Sequence, residues 1–194
     1  MKDFGDLNLT QYELGSVDRM VRNCQSMANG PWSMTAEDCI YELIRCARQC
    51  VMNAAVPSVV MAQAILESGW FSTHILFGIK ARPSDKAAGH AETDPTTEVT
   101  DNGVVHETDA FVKYDTFDEY FQSYFDYLKR MKPRSGNYIP MAAGHVLPFD
   151  YEGFIHYLEM DPAYSTATPA HGDGYYNSLV SIIRSIGLWA FDHT

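Results

Sequence analysis

The sequence predicts a mostly helical α+β domain, in which a small β-hairpin lobe faces a helical lobe across a cleft. Apolar residues recur at helical spacing in segment after segment on both sides of the chain's centre. Strand-prone residues gather in one central stretch around Asn102-Gly103, the strongest short hairpin signal. A chain of 194 residues suits one domain with a sizeable core, and no linker divides it. Residues 1–54 read as a helical N-terminal extension packed on a core spanning 55–190.

Ser16 is the expected cap of a first helix that carries Val17, Met20, Val21 and Cys24 on one face. Asn29-Gly30-Pro31 breaks it. Thr35, with Asp38 three positions on, resembles a capping box for a second helix. Pro57 suits the first turn of a third helix through Val60, Ala64 and Glu67, closed by Ser68 and a left-handed Gly69. Residues 81–97 read as loop, because Arg82-Pro83, Gly89 and Asp94-Pro95 are breakers. The hairpin comes next. A two-residue turn at Asn102-Gly103 pairs Asp101 with Val104 and sets Glu98 opposite Glu107. Thr116 and Glu119 form a capping box for the clearest helix, whose stripe Phe117, Tyr120, Phe121, Tyr124, Leu128 and Met131 reads as core. Pro133 ends it. A short helix through Phe154 and Leu158 and a last one through Leu179, Ile183 and Ile186, closed by Gly187, complete the layout.

Composition excludes several functions. The formal net charge of -11 leaves no basic surface for nucleic acid, and it opposes docking on anionic membranes or teichoic-acid-rich walls. No run is long and apolar enough to span a bilayer, so membrane insertion is not expected. The seven His are dispersed, without H-E-x-x-H or paired spacing, so neither a metal nor another cofactor is expected. Cys39, Cys46 and Cys50 share one helical face with Leu43 and read as buried thiols; the one easy bridge would run from Cys24 to a helical Cys.

The segment Ala62 to Trp70, AQAILESGW, is followed after a short gap by LFGIKA, Leu76 to Ala81. This pattern resembles glycoside hydrolase family 73, the lysozyme-like N-acetylglucosaminidases of bacteria and phages. Thr96-Thr97-Glu98, before the hairpin turn, is similar to the family's β-lobe motif, which carries a second acidic residue. Ala110-Phe111-Val112-Lys113-Tyr114 resembles its A-x-F-x-x-Y stretch, and Tyr164-Ser165-Thr166-Ala167 resembles its G-Y-A-T-D turn more loosely. Tyr175 and Leu179 resemble the Y-x-x-x-L that opens its last helix. The family commonly has a Trp between the LFG block and the hairpin, where this chain has Ala87-Ala88-Gly89-His90. The resemblance covers roughly residues 55 to 190.

The resemblance implies a peptidoglycan hydrolase, an endo-acting β-N-acetylglucosaminidase whose partner is the glycan strand. Glycosidic cleavage needs a proton for the leaving oxygen and stabilisation of an oxocarbenium-like centre. Glu67 suits the acid: it lies in the last turn of an apolar helix, where the helix end and apolar neighbours disfavour a carboxylate. Glu98 is the candidate second carboxylate, as general base or charge stabiliser, unless the substrate's acetamido group takes that role. Tyr164, Trp70 and Phe77 are candidate cleft residues; the last two suit the core equally. Muramidase or lytic transglycosylase activity is the alternative chemistry, and a non-catalytic wall-binding module the alternative class. The N-terminal residues lack a signal-peptide pattern. The expectation is therefore an enzyme made in the cytoplasm and injected into a rival's periplasm, with a cognate immunity protein, or else one released as a phage lysin.

Overall fold

The first helix opens at Thr10, six residues before Ser16. In a computed structural model that describes residues 3–24, 32, 34–53, 55–100, 103–130, 151–159 and 174–193, α1 spans Gln11–Cys24. Thr10 and Glu13 form its capping box: the Thr10 N–H donates to Glu13 at 2.6 Å and the Glu13 N–H to the Thr10 hydroxyl at 3.2 Å. Positions 10–13 carry the T-x-x-E signature of such a box. Ser16 instead lies buried inside the helix, its hydroxyl donating to the Gly187 carbonyl at 2.8 Å. The Asn29-Gly30-Pro31 breaker, Met131 and Pro133 lie outside the described residues.

Helix α2 spans Ala36–Ala47 and is capped by Thr35, whose hydroxyl accepts from the Asp38 N–H at 3.1 Å. Its helical geometry ends before Cys50, which comes after it in a turn. Cys24, Cys39, Cys46 and Cys50 are all buried free thiols, so no bridge from Cys24 is formed. Burial pushes the Cys24 and Cys39 thiols up to about 12, which keeps them protonated and inert.

Helix α3, Pro57–Glu67, is the axis of the domain. Every residue from Pro57 to Ile65 is buried, because α2, the later helices Tyr151–Glu159 and Gly174–Ile186, and the C-terminal 3-10 helix Leu188–His193 pack around it. Fully burying side chains such as Val59, Val60 and Ile65 stabilises the fold by about 1.5–3 kcal/mol each. Its N-terminus has no cap from its own segment. Asp192 supplies one from the far end of the chain. Its carboxylate accepts the Ser58 N–H and the Ser58 hydroxyl, both at 2.8 Å. Burial, opposed in part by those hydrogen bonds, raises the Asp192 carboxyl from 3.8 to about 6. The folded state thus holds its proton more tightly than the unfolded chain. This contribution to stability is present below about pH 4 and is lost as pH rises to about 6, a change of about 3 kcal/mol. Denaturant unfolding at stepped pH is expected to show that slope in the wild type. In Asp192→Asn, which keeps an acceptor for the Ser58 N–H, the component should be missing.

Residues 81–97 are more ordered than a loop. Helix α4 spans Pro83–Ala87, and the strands β1, Ala91–Thr100, and β2, Gly103–Val112, form one antiparallel pair. Pro95 is tolerated inside β1 because, among the described residues, β1 pairs with β2 alone and its other edge bears no strand. The register pairs Thr100 with Gly103, so Gly103 belongs to the strand. Glu98 consequently faces Val105, and Thr96 faces Glu107, one position off the pairing read from Asn102-Gly103. The juxtaposition of Glu98 with Glu107 is therefore not formed. The Val112 N–H donates to the Ile79 carbonyl at 2.9 Å and the Ala81 N–H to the Ala110 carbonyl at 2.7 Å. A Lys80–Asp109 ion pair at 2.6 Å reinforces that seam. The hairpin lobe is thus stitched at its base to the stretch Ile79 to Ala81.

Helix α5, Phe117–Arg130, begins with the expected Thr116–Glu119 box and buries Phe117, Tyr120, Phe121, Tyr124, Phe125 and Leu128. Helices α6, Tyr151–Glu159, and α7, Gly174–Ile186, pack on α3, and Gly187 closes α7 at φ +78°. The described residues therefore form a mostly helical lobe bearing one small antiparallel hairpin, the α+β layout expected.

Candidate active site

Glu67 is the last residue of α3, at the negative end of the helix dipole. The chain then makes a tight left-handed turn: Gly69, Trp70 and Phe71 have φ of 54°, 59° and 65°. Such angles are uncommon for aromatic residues and must be held by their surroundings. Buried Ser68 holds them. Its hydroxyl donates to the Ala64 carbonyl at 2.5 Å and accepts the Phe71 N–H at 2.9 Å, while the Trp70 N–H reaches back to the Ile65 carbonyl at 2.8 Å. The turn leads the chain back so that Gly78 lies against the acid. A Cβ built on Gly78 would stand 2.9 Å from Glu67 Oε2, and Gly78 itself is left-handed at φ +60°. Only glycine fits both demands there.

Behind Glu67 stands a chain of hydrogen bonds from three helices. Gln63, one turn earlier on α3 and fully buried, accepts the Tyr124 hydroxyl of α5 at 2.5 Å on Oε1. Its Nε2 donates to the Tyr175 hydroxyl, from the first turn of α7, at 3.0 Å. Tyr175 in turn hydrogen-bonds the Glu67 carboxylate. Burial raises the Glu67 carboxyl above its ordinary value, and the Tyr175 hydrogen bond opposes part of that rise. A half-buried carboxyl held toward its protonated form is what a general acid requires.

The other candidates are placed differently. Glu98 lies in β1 opposite Val105, and its side chain is outside the described residues, as is all of Tyr164. Phe77 belongs to the core and not to the cleft. It is 2% exposed, stacked on Tyr124 at 4.3 Å and edge-on to Phe121 at 5.2 Å, so no ring face is left for a sugar. Trp70 is half-buried and lines a small cavity with Cys24, Trp32, Met34, Ala36, Cys39 and Phe71, on the side of the N-terminal helices. A groove of about 540 Å³ runs between the hairpin base and α5, lined by Ile79, Lys80, Val112, Tyr114, Gln122 and Ser123 among others. Glu67 does not line it, but the groove begins at Ile79, the residue after Gly78. Glu42, Cys46 and Asp118 form a metal-like cluster among the described residues. Arg45 already occupies its carboxylates, at 2.7 Å to Glu42 and 2.5 and 3.0 Å to Asp118.

Sequence reasoning misses Gln63 and Tyr124 as site residues and notes Tyr175 only as a helix opener. Gln63 carries a signal: it is the single amide in an apolar helical run, spaced i, i+4 from the acid.

Residues 47–188 match the family model Glucosaminidase, described as mannosyl-glycoprotein endo-beta-N-acetylglucosaminidase. The chain belongs to the glucosaminidase family. It is accordingly a glycoside hydrolase, and the match begins at the end of α2, so most of the N-terminal extension lies outside it. The glycoside hydrolase domain of FlgJ from Salmonella typhimurium, in a C-terminally truncated form, is 25% identical, with a TM-score of 0.52 over 78% of this chain and 97% of that one. The catalytic domain of the autolysin Auto from Listeria monocytogenes is similar in fold, at 23% identity and TM-score 0.56 over 88% of this chain and 95% of that one. So is a peptidoglycan hydrolase mutant from Sphingomonas sp. A1, at 22% identity and TM-score 0.60 over 80% and 97%. No curated protein sequence matches this glucosaminidase significantly. The family and these neighbours agree with the lysozyme-like fold read from the AQAILESGW and LFGIKA blocks.

Proposed function

We propose that this glucosaminidase is an endo-acting β-N-acetylglucosaminidase on the glycan strand of bacterial peptidoglycan, with Glu67 as general acid. The observation that carries this reading is the half-buried Glu67 at the end of α3, backed by Gly78 and hydrogen-bonded by Tyr175. The similarity to a peptidoglycan hydrolase and an autolysin supports the substrate. Glu67 protonates the leaving glycosidic oxygen as the bond breaks, and the Tyr175 hydroxyl then stabilises the carboxylate that forms. Because the Glu67 carboxyl is raised, the acid form persists above the ordinary glutamate range. Activity is expected to decline only as pH rises through that raised value.

Glu98, on the hairpin lobe, is proposed as the second carboxylate, stabilising the oxocarbenium-like centre or activating water. Tyr164, from the Y-S-T-A turn, and Trp70 are proposed to contact the sugar. Glu98→Gln is expected to slow release of soluble fragments from dye-labelled sacculi by roughly 10²-fold, leaving residual turnover through the substrate's acetamido group. Unchanged release would make Glu98 a surface residue.

The physiological role we propose is antibacterial, as an effector injected into a rival's periplasm and restrained in kin by an immunity protein that fills the cleft. The net charge of -11 suits a Gram-negative target, since such a surface gains nothing from a teichoic-acid-rich wall. The same charge calls for Lys or Arg on the inhibitor's contact face. Expression directed to the periplasm of a laboratory strain should kill, and co-expression of the inhibitor should rescue. Survival without an inhibitor would remove this role.

A further inference from the structure

We infer that Tyr124, deep in the core on α5, is a positioning residue for the acid: it fixes which way the Gln63 amide points, and that orientation delivers the Tyr175 hydroxyl hydrogen to Glu67. The inference rests on the reading of Glu67 as the general acid.

An amide presents a donor on one side and an acceptor on the other, and a half-turn about its last torsion exchanges them. Gln63 is fully buried on α3, so both sides need partners. The Tyr124 hydroxyl, at 2.5 Å from Gln63 Oε1, holds the carbonyl side toward α5. Nε2 is thereby turned toward Tyr175, 3.0 Å away, and an amide nitrogen can only donate. Tyr175 Oη is the acceptor of that bond, and its own hydrogen goes to the Glu67 carboxylate. Donation runs in one direction through the chain, from Tyr124 to Gln63 to Tyr175 to Glu67, which lets each bond polarise the next. Among the described residues, the titratable groups brought to Glu67 are Tyr175 from α7 and, through Gln63, Tyr124 from α5. Gly78 faces it from the stretch after the turn, and His156 of α6 stacks on Tyr176 at 4.8 Å.

Tyr124→Phe removes the hydroxyl that Gln63 Oε1 accepts and keeps the buried ring. The Gln63 carbonyl can then rotate toward Tyr175 and compete with Glu67 for its hydrogen. The carboxylate loses part of its stabilisation, and its protonated form persists to higher pH. Rates on sacculi across pH 4 to 9 are expected to show the alkaline limb displaced upward by about one pH unit. The maximal rate should fall roughly tenfold with little change in KM, as when an interaction specific to the transition state is weakened. Gln63→Glu, which replaces the donor by an acceptor, should displace the limb the same way and further; it provides the test if Tyr124→Phe unfolds. A purely structural Tyr124 would lower the melting temperature and scale activity equally at every pH. A Tyr124→Phe profile that superimposes on the wild type after scaling, with Gln63→Glu also unmoved, overturns the inference. Full activity in Glu67→Gln would overturn the underlying assignment instead, so the two failures are distinguishable.

Discussion

Glu67→Gln is expected to abolish glycan hydrolysis while leaving the fold intact. Glutamine has the shape of the protonated acid but no proton to give, so the leaving oxygen departs unassisted. General acid catalysis is worth roughly 10²–10⁴-fold, and a poor sugar leaving group puts this case at the upper end. The fold should not suffer. Burial disfavours the ionised form of Glu67, so a neutral side chain removes a cost at neutral pH, and the glutamine carbonyl still accepts the Tyr175 hydroxyl. The melting temperature is therefore expected to be equal to the wild type's or higher. Solubilisation of purified sacculi, with a thermal melt of the same preparations, checks both halves. An inactive variant that is also unfolded would not support the assignment, and a folded, active one would remove it.

Gly78→Ala is expected to produce the second large loss, through geometry alone. The left-handed φ of +60° costs a residue with a Cβ about 1–2 kcal/mol. In addition, the new Cβ would stand 2.9 Å from Oε2 of Glu67, too close for both to stay, and 3.4 Å from its Cδ, at the near limit of contact. The carboxyl must move, and a displacement on the order of 1 Å costs about 10²-fold in rate. Gly89 supplies the control. It is also left-handed, at φ +78°, but a Cβ there meets nothing within 4 Å. Gly89→Ala should lose stability alone, and Gly78→Ala stability and turnover together. Equal activity in the two variants would show that Gly78 does not shape the acid's position.

Much of the scaffold is legible in the sequence because it depends on local rules. Thr35 with Asp38, Thr116 with Glu119, Pro57 at a helix start, and Gly69 and Gly187 at helix ends all behave as their sequence neighbours dictate. The start of α1 departs from the Ser16 expectation because Ser16 and Thr10 are both competent caps; tertiary contact decides between them by burying Ser16 against Gly187. The strand register differs by one residue from the expected one because Gly103, read as a turn residue, pairs with Thr100 as the first residue of β2. Strand length is hidden by Pro95, which only an unshared edge permits. At the candidate site, the place of Glu67 at the end of its helix is legible from the residues around it. Its support is not, because Tyr124 and Tyr175 come from α5 and α7, and no local pattern says that two distant tyrosines meet one buried glutamine. Phe77 illustrates the converse: an aromatic near the acid in sequence packs away from it, since the turn after Ser68 directs it onto Tyr124.

Assignment of Glu67 as the acid of an N-acetylglucosaminidase is tested most sharply by the identity of the sugar left at the reducing end when purified sacculi are digested. Borohydride reduction of the soluble fragments followed by mass spectrometry reads it. Reduced N-acetylglucosamine ends are expected from the wild-type enzyme, and none above background from Glu67→Gln. Reduced N-acetylmuramic acid or 1,6-anhydro ends would contradict the assignment and make the enzyme a muramidase or lytic transglycosylase; unchanged product from Glu67→Gln would mean that another residue is the acid.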